Sequence, residues 1–157
     1  ALEALTGGDK RMSAFFSNPT NIDDDVLKKY LVEVSEDVSI GVTDQLIKLI
    51  RTGHLKSVDR KIDYTASLGK VKVPILILVG KADNMCEPAA ARFAYEQVGS
   101  ADKTYRELGV ANGFSVDYGH LDVILGKRSR QEIYPLIERW LRDHSHPGAP
   151  SLGPSGQ

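Results

Sequence analysis

Several features that would define a class of protein at once are rare or missing in this sequence. Cys86 is the only cysteine among 157 residues, which excludes an intrachain disulfide framework and a cysteine-based zinc site. No apolar run approaches the roughly 18 residues that a membrane-spanning helix needs. The N-terminus lacks the charged-then-apolar plan of a signal peptide. Because the sequence does not begin with Met, we expect it to be cut from something longer, and its compartment stays open.

An excess of charge of one sign is also missing. The chain has 20 Lys and Arg against 21 Asp and Glu, which gives a formal net charge of −1. A nucleic-acid-binding protein needs a basic face or stripe, and the one basic run, residues 127–130, reads as a short solvated turn. We therefore expect no nucleic-acid partner. No motif indicates a metal or cofactor, since two histidines in the tail make no designed site.

The first third of the chain predicts a small helical layer. Asp23 to Asp25 suit a helix N-terminus, and apolar residues then recur at helical spacing up to Val34. A second helix is expected after Thr43, with Gly53 as its stop. The secondary structure of residues 1–22 cannot be predicted from their pattern, apart from a turn that Asn18-Pro19 indicates.

The middle of the chain predicts parallel strands. The run VKVPILILVG at 71–80 alternates too little for a half-exposed strand, so we expect a strand buried on both faces. Pro88 suits the first position of a helix over residues 89–98. Residues 103–108 can form a second strand. The order strand, helix, strand, loop, helix indicates an architecture in which ligands meet the carboxyl ends of the strands.

The last helix contains a conflict. Ser129 and Glu132 match a capping box, but Pro135 would then lie inside the helix and remove a backbone hydrogen bond. We expect the helix either to begin near Tyr134 or to bend there. Residues 144–157 are rich in Pro, Gly and Ser and are expected to be disordered.

Two residues in loops after strand-like segments are candidates for chemistry. Asp83 follows the buried run, and His120 lies in the loop before the final helix. An aspartate that accepts from one ring nitrogen fixes the tautomer of a histidine and stabilises its imidazolium. Each residue alone is more often structural. Asp122 is expected to cap or hydrogen-bond locally, with a supporting role beside the catalytic residues as the alternative. Cys86 is expected to be a small buried side chain, with a reactive thiol as the alternative. The remaining histidines are expected at a helix end (His54) or in the exposed tail (His144, His146).

The order of these segments resembles the C-terminal half of an α/β-hydrolase. VPILILVGKADNMCEP looks like the penultimate core strand and the loop of the triad acid. YGHLDVILGKRSRQEIYPLIERWL is similar to the histidine loop and closing helix of the acid lipase branch, and GVTDQLIKLIRTGHLKSVD to the last helix of the lipase cap. The resemblance implies an α/β fold of parallel strands with flanking helices, and a sheet that is incomplete in this chain. It divides the chain into helical cap elements (1–65), part of the core (66–143) and a tail (144–157).

By this resemblance Asp83 is the triad acid and His120 the general base of an esterase or lipase. The nucleophile elbow of that family, G-x-S-x-G, is absent, and Ser115 in GFSVD lacks its flanking glycines. The first strands of the sheet are missing too. The resemblance therefore implies a complementary N-terminal half, on another polypeptide or upstream in a precursor, that supplies the nucleophile. The substrate would be a small ester under the helical layer, and this chain alone would be inactive.

Two alternatives stay open. If the missing elbow carries aspartate, the same Asp83 and His120 would drive water onto an alkyl-enzyme ester, as in an epoxide hydrolase or a dehalogenase. The chain would otherwise be a non-catalytic interaction module that binds a partner through its open sheet edge. In that module, replacement of His120 would leave partner binding intact.

Overall fold

Helices and a two-stranded sheet make up the computed structural model, which describes residues 10–34 and 39–145. The disorder expected for the tail falls almost wholly on residues 146–157, which lie outside this range. Within the described residues, no helix is both long and apolar enough to cross a membrane. The helices are α1 (Lys10–Phe16), α2 (Asp24–Val34), α3 (Ile40–Thr52), α4 (Pro88–Gln97), α5 (Asp122–Leu125), α6 (Ser129–Glu132) and α7 (Tyr134–Asp143), and the strands are β1 (Ile75–Gly80) and β2 (Lys103–Leu108).

The strands β1 and β2 are parallel and in register from the Ile75–Lys103 pair to the Gly80–Leu108 pair. Helix α4 connects them, as a parallel pair requires, and it begins at Pro88 as predicted. The expected burial of β1 on both faces is wrong. Its first four residues are only half-buried, and full burial is reached at Val79 and Gly80. The reason is that β1 has one neighbouring strand among the described residues.

The core lies under the loop that follows β2. Leu108, Tyr118 and Ile133 are fully buried there and pack against Leu78 and other half-buried apolar side chains. The Tyr118 hydroxyl donates to a carboxylate oxygen of Glu132 at 2.9 Å. Burial, reinforced by that carboxylate, raises the pKa of Tyr118 far above its ordinary value. The phenol therefore stays a neutral donor that ties the loop to the last helices.

The C-terminal segment resolves the conflict at Pro135. Helix α6 ends at Glu132, and α7 begins at Tyr134 with Pro135 in its first turn, where the missing N–H costs nothing. The predicted capping box is wrong. The Ser129 hydroxyl donates to the carbonyl of Asp122 at 2.6 Å and caps no helix N–H.

Helix α3 is largely exposed among the described residues. It begins at Ile40, earlier than predicted, because the Ser39 hydroxyl caps it by accepting from the N–H of Val42. It ends as predicted at Gly53, whose φ of 70° is the left-handed conformation of a helix C-cap. No residue of α3 is buried, and its apolar stripe includes Ile50, which is 76% exposed. This stripe lacks a covering layer among the described residues.

His144 packs against the end of α7 and is not the exposed tail residue that was expected. Its ring stacks on Trp140 with centroids 4.1 Å apart. Nδ1 faces the carbonyl of Trp140 at 2.6 Å, and Nε2 lies 3.1 Å from a carboxylate oxygen of Asp102. Both ring nitrogens thus face acceptors, which favours the doubly protonated ring. The bond to Trp140, followed by Asp102, raises the pKa of His144 above its usual 6.5.

We expect the fluorescence of Trp140 to report this titration. Trp140 is the only tryptophan, and a protonated imidazole stacked on an indole quenches its emission. Emission should rise as pH increases through the raised pKa of His144, above about 6.5. The stabilising contact is fully present below about pH 6.5 and is lost as pH rises through that folded-state pKa, so the melting temperature should fall over the same range. A His144→Gln variant should show neither change, and an identical emission rise in that variant would refute the assignment.

Candidate active site

The chain returns to the end of β1 after leaving β2, and this return positions the candidate site. The N–H of Lys81 donates to Leu108 at 3.0 Å, and the N–H of Ala82 donates to the carbonyl of Tyr118 at 2.8 Å. Gly80 makes the contact possible, because a Cβ there would lie 2.2 Å from the carbonyl oxygen of Tyr118. The histidine loop therefore lies directly over the loop that carries Asp83.

The structure brings Asp83 and His120 together across 37 positions of sequence. Nδ1 of His120 lies 2.9 Å from Oδ2 of Asp83. The other carboxylate oxygen, Oδ1, accepts from the backbone N–H groups of Met85 (2.9 Å) and Cys86 (2.8 Å). These two bonds fix the plane of the carboxylate, as the expected turn role of Asp83 would also require. One turn thus satisfies the backbone and holds the acceptor in place for the histidine.

The hydrogen bond to Asp83 determines which ring nitrogen of His120 carries the hydrogen. Since a carboxylate accepts only, Nδ1 carries the hydrogen, and Nε2 of the neutral ring is left with its lone pair. No described residue forms a hydrogen bond with Nε2. The Asp83 side chain is 5% exposed and that of His120 39%. The ring is thus accessible on one side and held by a buried carboxylate on the other.

Cys86 is exposed, so its expected burial is wrong. It donates its backbone N–H, not its thiol, to Asp83. Partial desolvation and then the negative charge of Asp83 raise the pKa of the thiol. A raised pKa keeps the sulfur protonated at neutral pH and makes it a poor nucleophile. Cys86 therefore acts in the site through its backbone N–H, which helps to orient the carboxylate of Asp83.

Ser115 is not brought to the pair. Its backbone N–H faces the carboxylate of Glu132 at 3.3 and 3.4 Å, and no described hydrogen bond joins its hydroxyl to His120. Burial raises the pKa of Glu132, but bonds from Ser115 and Tyr118 outweigh it, so the pKa lies below its ordinary value. Ser115 therefore shares the carboxylate of Glu132 with the buried Tyr118 and has, among the described residues, no hydrogen bond to the pair that would make it a nucleophile.

The segment 13–21 touches both loops of the site, which the sequence pattern did not indicate. The carbonyl of Phe16 accepts from the N–H of Leu121 at 2.8 Å. The carbonyl of Ala14 accepts from the side chain of Asn84 at 2.8 Å. The turn signal at Asn18-Pro19 was the only local hint of structure here. The proposed division at residue 65 stays a prediction, although this early segment packs on the later one.

A cleft of about 290 Å³ lies elsewhere, beside α3. It is lined in part by Lys48, His54 and Lys56, and neither member of the Asp83–His120 pair lines it. His54 follows the C-cap of α3, as expected at a helix end, and its Nδ1 lies 2.9 Å from Oδ2 of Asp63. Within the described residues, no group of three potential metal ligands is close enough to hold an ion.

Comparison with known proteins gives one match. A family model described as serine aminopeptidase, S33, matches residues 42–109, less than half of the chain. The matched range includes β1, Asp83, α4 and β2, and it ends before His120. No curated protein and no solved structure gives a significant match. The match supports an α/β-hydrolase family for this chain, and helices around a small parallel sheet are compatible with part of that fold.

Proposed function

We propose that this chain supplies the acid and the base of a serine hydrolase of the esterase or lipase type. The observation that carries the proposal is the 2.9 Å bond between Nδ1 of His120 and the buried carboxylate of Asp83. Nε2 of His120 takes the proton of the attacking serine and later activates water, while Asp83 orients the ring and stabilises the imidazolium. Acyl transfer through a covalent intermediate follows from these roles.

A segment outside this sequence supplies the nucleophile in this proposal. No G-x-S-x-G elbow occurs in the sequence. The description of the matched family names a serine enzyme, which favours serine over the aspartate of an epoxide hydrolase or a dehalogenase. That description also names an aminopeptidase, so the ester preference rests on the likeness of the histidine loop to acid lipases. Ester and peptide substrates are therefore to be tested side by side.

The exposed apolar surface supports a complementary hydrolase half as partner. The strands β1 and β2 pair only with each other among the described residues, which leaves an unpaired backbone edge on each outer side. On α3, Val42, Leu46 and Ile50 recur at i, i+4 and i+8 and are each more than half exposed. We propose that the complementary half pairs with the sheet edge. The stripe on α3 then roofs the acyl pocket.

The test is activity-based labelling of the native preparation. A fluorophosphonate forms a covalent bond with an activated serine, and intact-mass analysis shows which polypeptide carries it. We expect the label on a segment that accompanies this chain, and hydrolysis of p-nitrophenyl acyl esters at a higher rate than of aminoacyl p-nitroanilides. The reverse preference would replace the ester by a peptide substrate and leave the roles of Asp83 and His120 unchanged.

Three outcomes would contradict parts of this proposal. Turnover of an epoxide or a haloalkane without fluorophosphonate labelling would assign an aspartate nucleophile. A pure chain that stays monomeric and cooperatively folded at high concentration would contradict the need for a partner half that covers the exposed sheet edge. A partner that binds without any turnover, equally well with His120→Gln, would assign the interaction module, which the open sheet edges also favour.

A further inference from the structure

We infer that Asp122 is a positioning residue for His120. Its buried carboxylate fastens the segment 13–21 onto the histidine loop and thereby sets the imidazole against Asp83. The inference rests on the proposed role of His120 as general base, but the position of the ring is measurable without turnover.

The backbone N–H groups of the two residues that flank His120 are both held by other parts of the chain. The N–H of Gly119, before it, donates to Oδ1 of Asp122 at 2.9 Å. The N–H of Leu121, after it, donates to the carbonyl of Phe16 at 2.8 Å. The backbone that carries the imidazole is thus fixed at two points. One of these is the Asp122 carboxylate and the other belongs to the segment 13–21.

The same carboxylate also holds the segment 13–21. Oδ1 of Asp122 accepts from the backbone N–H of Asn18 at 2.9 Å, and Oδ2 accepts from the side-chain amide of Asn21 at 2.9 Å. Asp122 is 0% exposed and Asn21 1%. Within the described part of the chain, Asp122 forms no ion pair, so three neutral N–H donors satisfy a buried carboxylate. Loss of this acceptor would release both segments together.

The backbones of segment 13–21 and of the histidine loop pack directly against each other at Gly119. A Cβ on Gly119 would lie 2.5 Å from the backbone nitrogen of Asn18 and 2.6 Å from the carbonyl carbon of Ser17. The segment also reaches the acid side of the pair, since the Asn84 amide donates to Ala14 at 2.8 Å next to Asp83. One segment therefore spans the loops of both site residues. Its position determines how they face each other.

A hydrogen bond of 2.9 Å is sensitive to small displacements of the ring, because it weakens steeply with angle and distance. Movement of the 119–121 backbone would carry the imidazole away from Asp83. A residue that merely stabilises the fold would lower the melting temperature and leave the geometry of the pair unchanged in the folded molecules. The bond itself is therefore the appropriate readout.

The experiment follows the Nδ1 proton of His120 by NMR in protein with nitrogen-15 in its histidine rings. A ring proton hydrogen-bonded to a carboxylate resonates downfield of the amides. Asp122→Ala removes all three bonds, and we expect the signal to be lost while the amide spectrum stays dispersed. Asp122→Asn should keep it. The amide oxygen still accepts from Gly119 and Asn18. Its NH2 can donate to Oδ1 of Asn21 once the Asn21 amide group turns over, because Nδ2 of Asn21 faces this position in the native site and its Oδ1 has no partner there.

The matched control is Glu132→Gln, which alters another carboxylate under the same loop without touching residues 13–21 or 119–121. It should keep the signal whatever stability it loses. An unchanged signal in folded Asp122→Ala would overturn the inference. If Asp122→Ala does not fold, Asn21→Ala decides, because it removes one bond and should shift the signal upfield. An unchanged signal there also overturns the inference.

The two proposals fail in different ways. Absence of the downfield signal in the unaltered protein would remove the Asp83–His120 pair and with it the proposed function. A signal that responds to Asp122 as expected, in a protein whose turnover does not need His120, would leave the positioning role standing and reject the base.

Discussion

Replacement of His120 by Gln should lower turnover by the proposed serine hydrolase by at least about 10⁴-fold, since triad members contribute on that order. Glutamine cannot take the proton of the nucleophile, and Asp83 would lose the partner 2.9 Å away. Because the side chain is 39% exposed and lies outside the buried core, we expect assembly and folding to be kept. The measurements are hydrolysis of a p-nitrophenyl ester and fluorophosphonate labelling of the same preparation.

The His54–Asp63 pair offers a matched control. His54 lies 2.9 Å from Asp63 through the same Nδ1 contact and is 48% exposed. His54→Gln therefore removes similar chemistry from a different place, and turnover should stay within about twofold of the unaltered protein. Equal losses of turnover in both variants would show that His120 has no specific role in catalysis. Intact turnover in His120→Gln would refute its role as the base.

Replacement of Gly80 by Ala should cost the fold about 3 kcal/mol, at the upper end of what overpacking typically costs. The new Cβ would lie 2.2 Å from the carbonyl oxygen of Tyr118 and 2.6 Å from that of Gly119. These are backbone atoms, so no side chain can rotate away. The histidine loop must lift, which breaks the bond from Ala82 to Tyr118 and draws His120 from Asp83. Stability and turnover should fall together.

Urea unfolding followed by circular dichroism measures the first effect, and ester hydrolysis at low denaturant the second. Gly41→Ala is the matched control. It makes the same chemical change within α3, where the nearest atom to the new Cβ is Oγ of Ser39 at 4.0 Å. Alanine favours a helix over glycine by roughly 0.5–1 kcal/mol, so this variant should be at least as stable as the unaltered protein. A Gly80→Ala protein of unchanged stability would contradict the close approach seen here.

The local elements were largely predictable because their signals act over short distances. β2 has the predicted bounds, α4 begins at Pro88, and α3 stops at Gly53, where backbone preference alone decides. Pro135 likewise forced the division between α6 and α7. The capping box at Ser129 failed, because a tertiary partner, the carbonyl of Asp122, took the hydroxyl that the local motif needed.

Sequence by itself determined which residue types were on hand for chemistry and the order in which they occur. It placed an aspartate after one strand and a histidine after the next, and strand ends that share an edge favour their convergence. Only the tertiary structure decided that Asp83 and His120 meet at 2.9 Å, and that Asp122 binds residues 13–21 from the other end of the chain. Those contacts join residues 37 to 104 positions apart. They depend on how the loops pack at the end of β1, which no local pattern encodes.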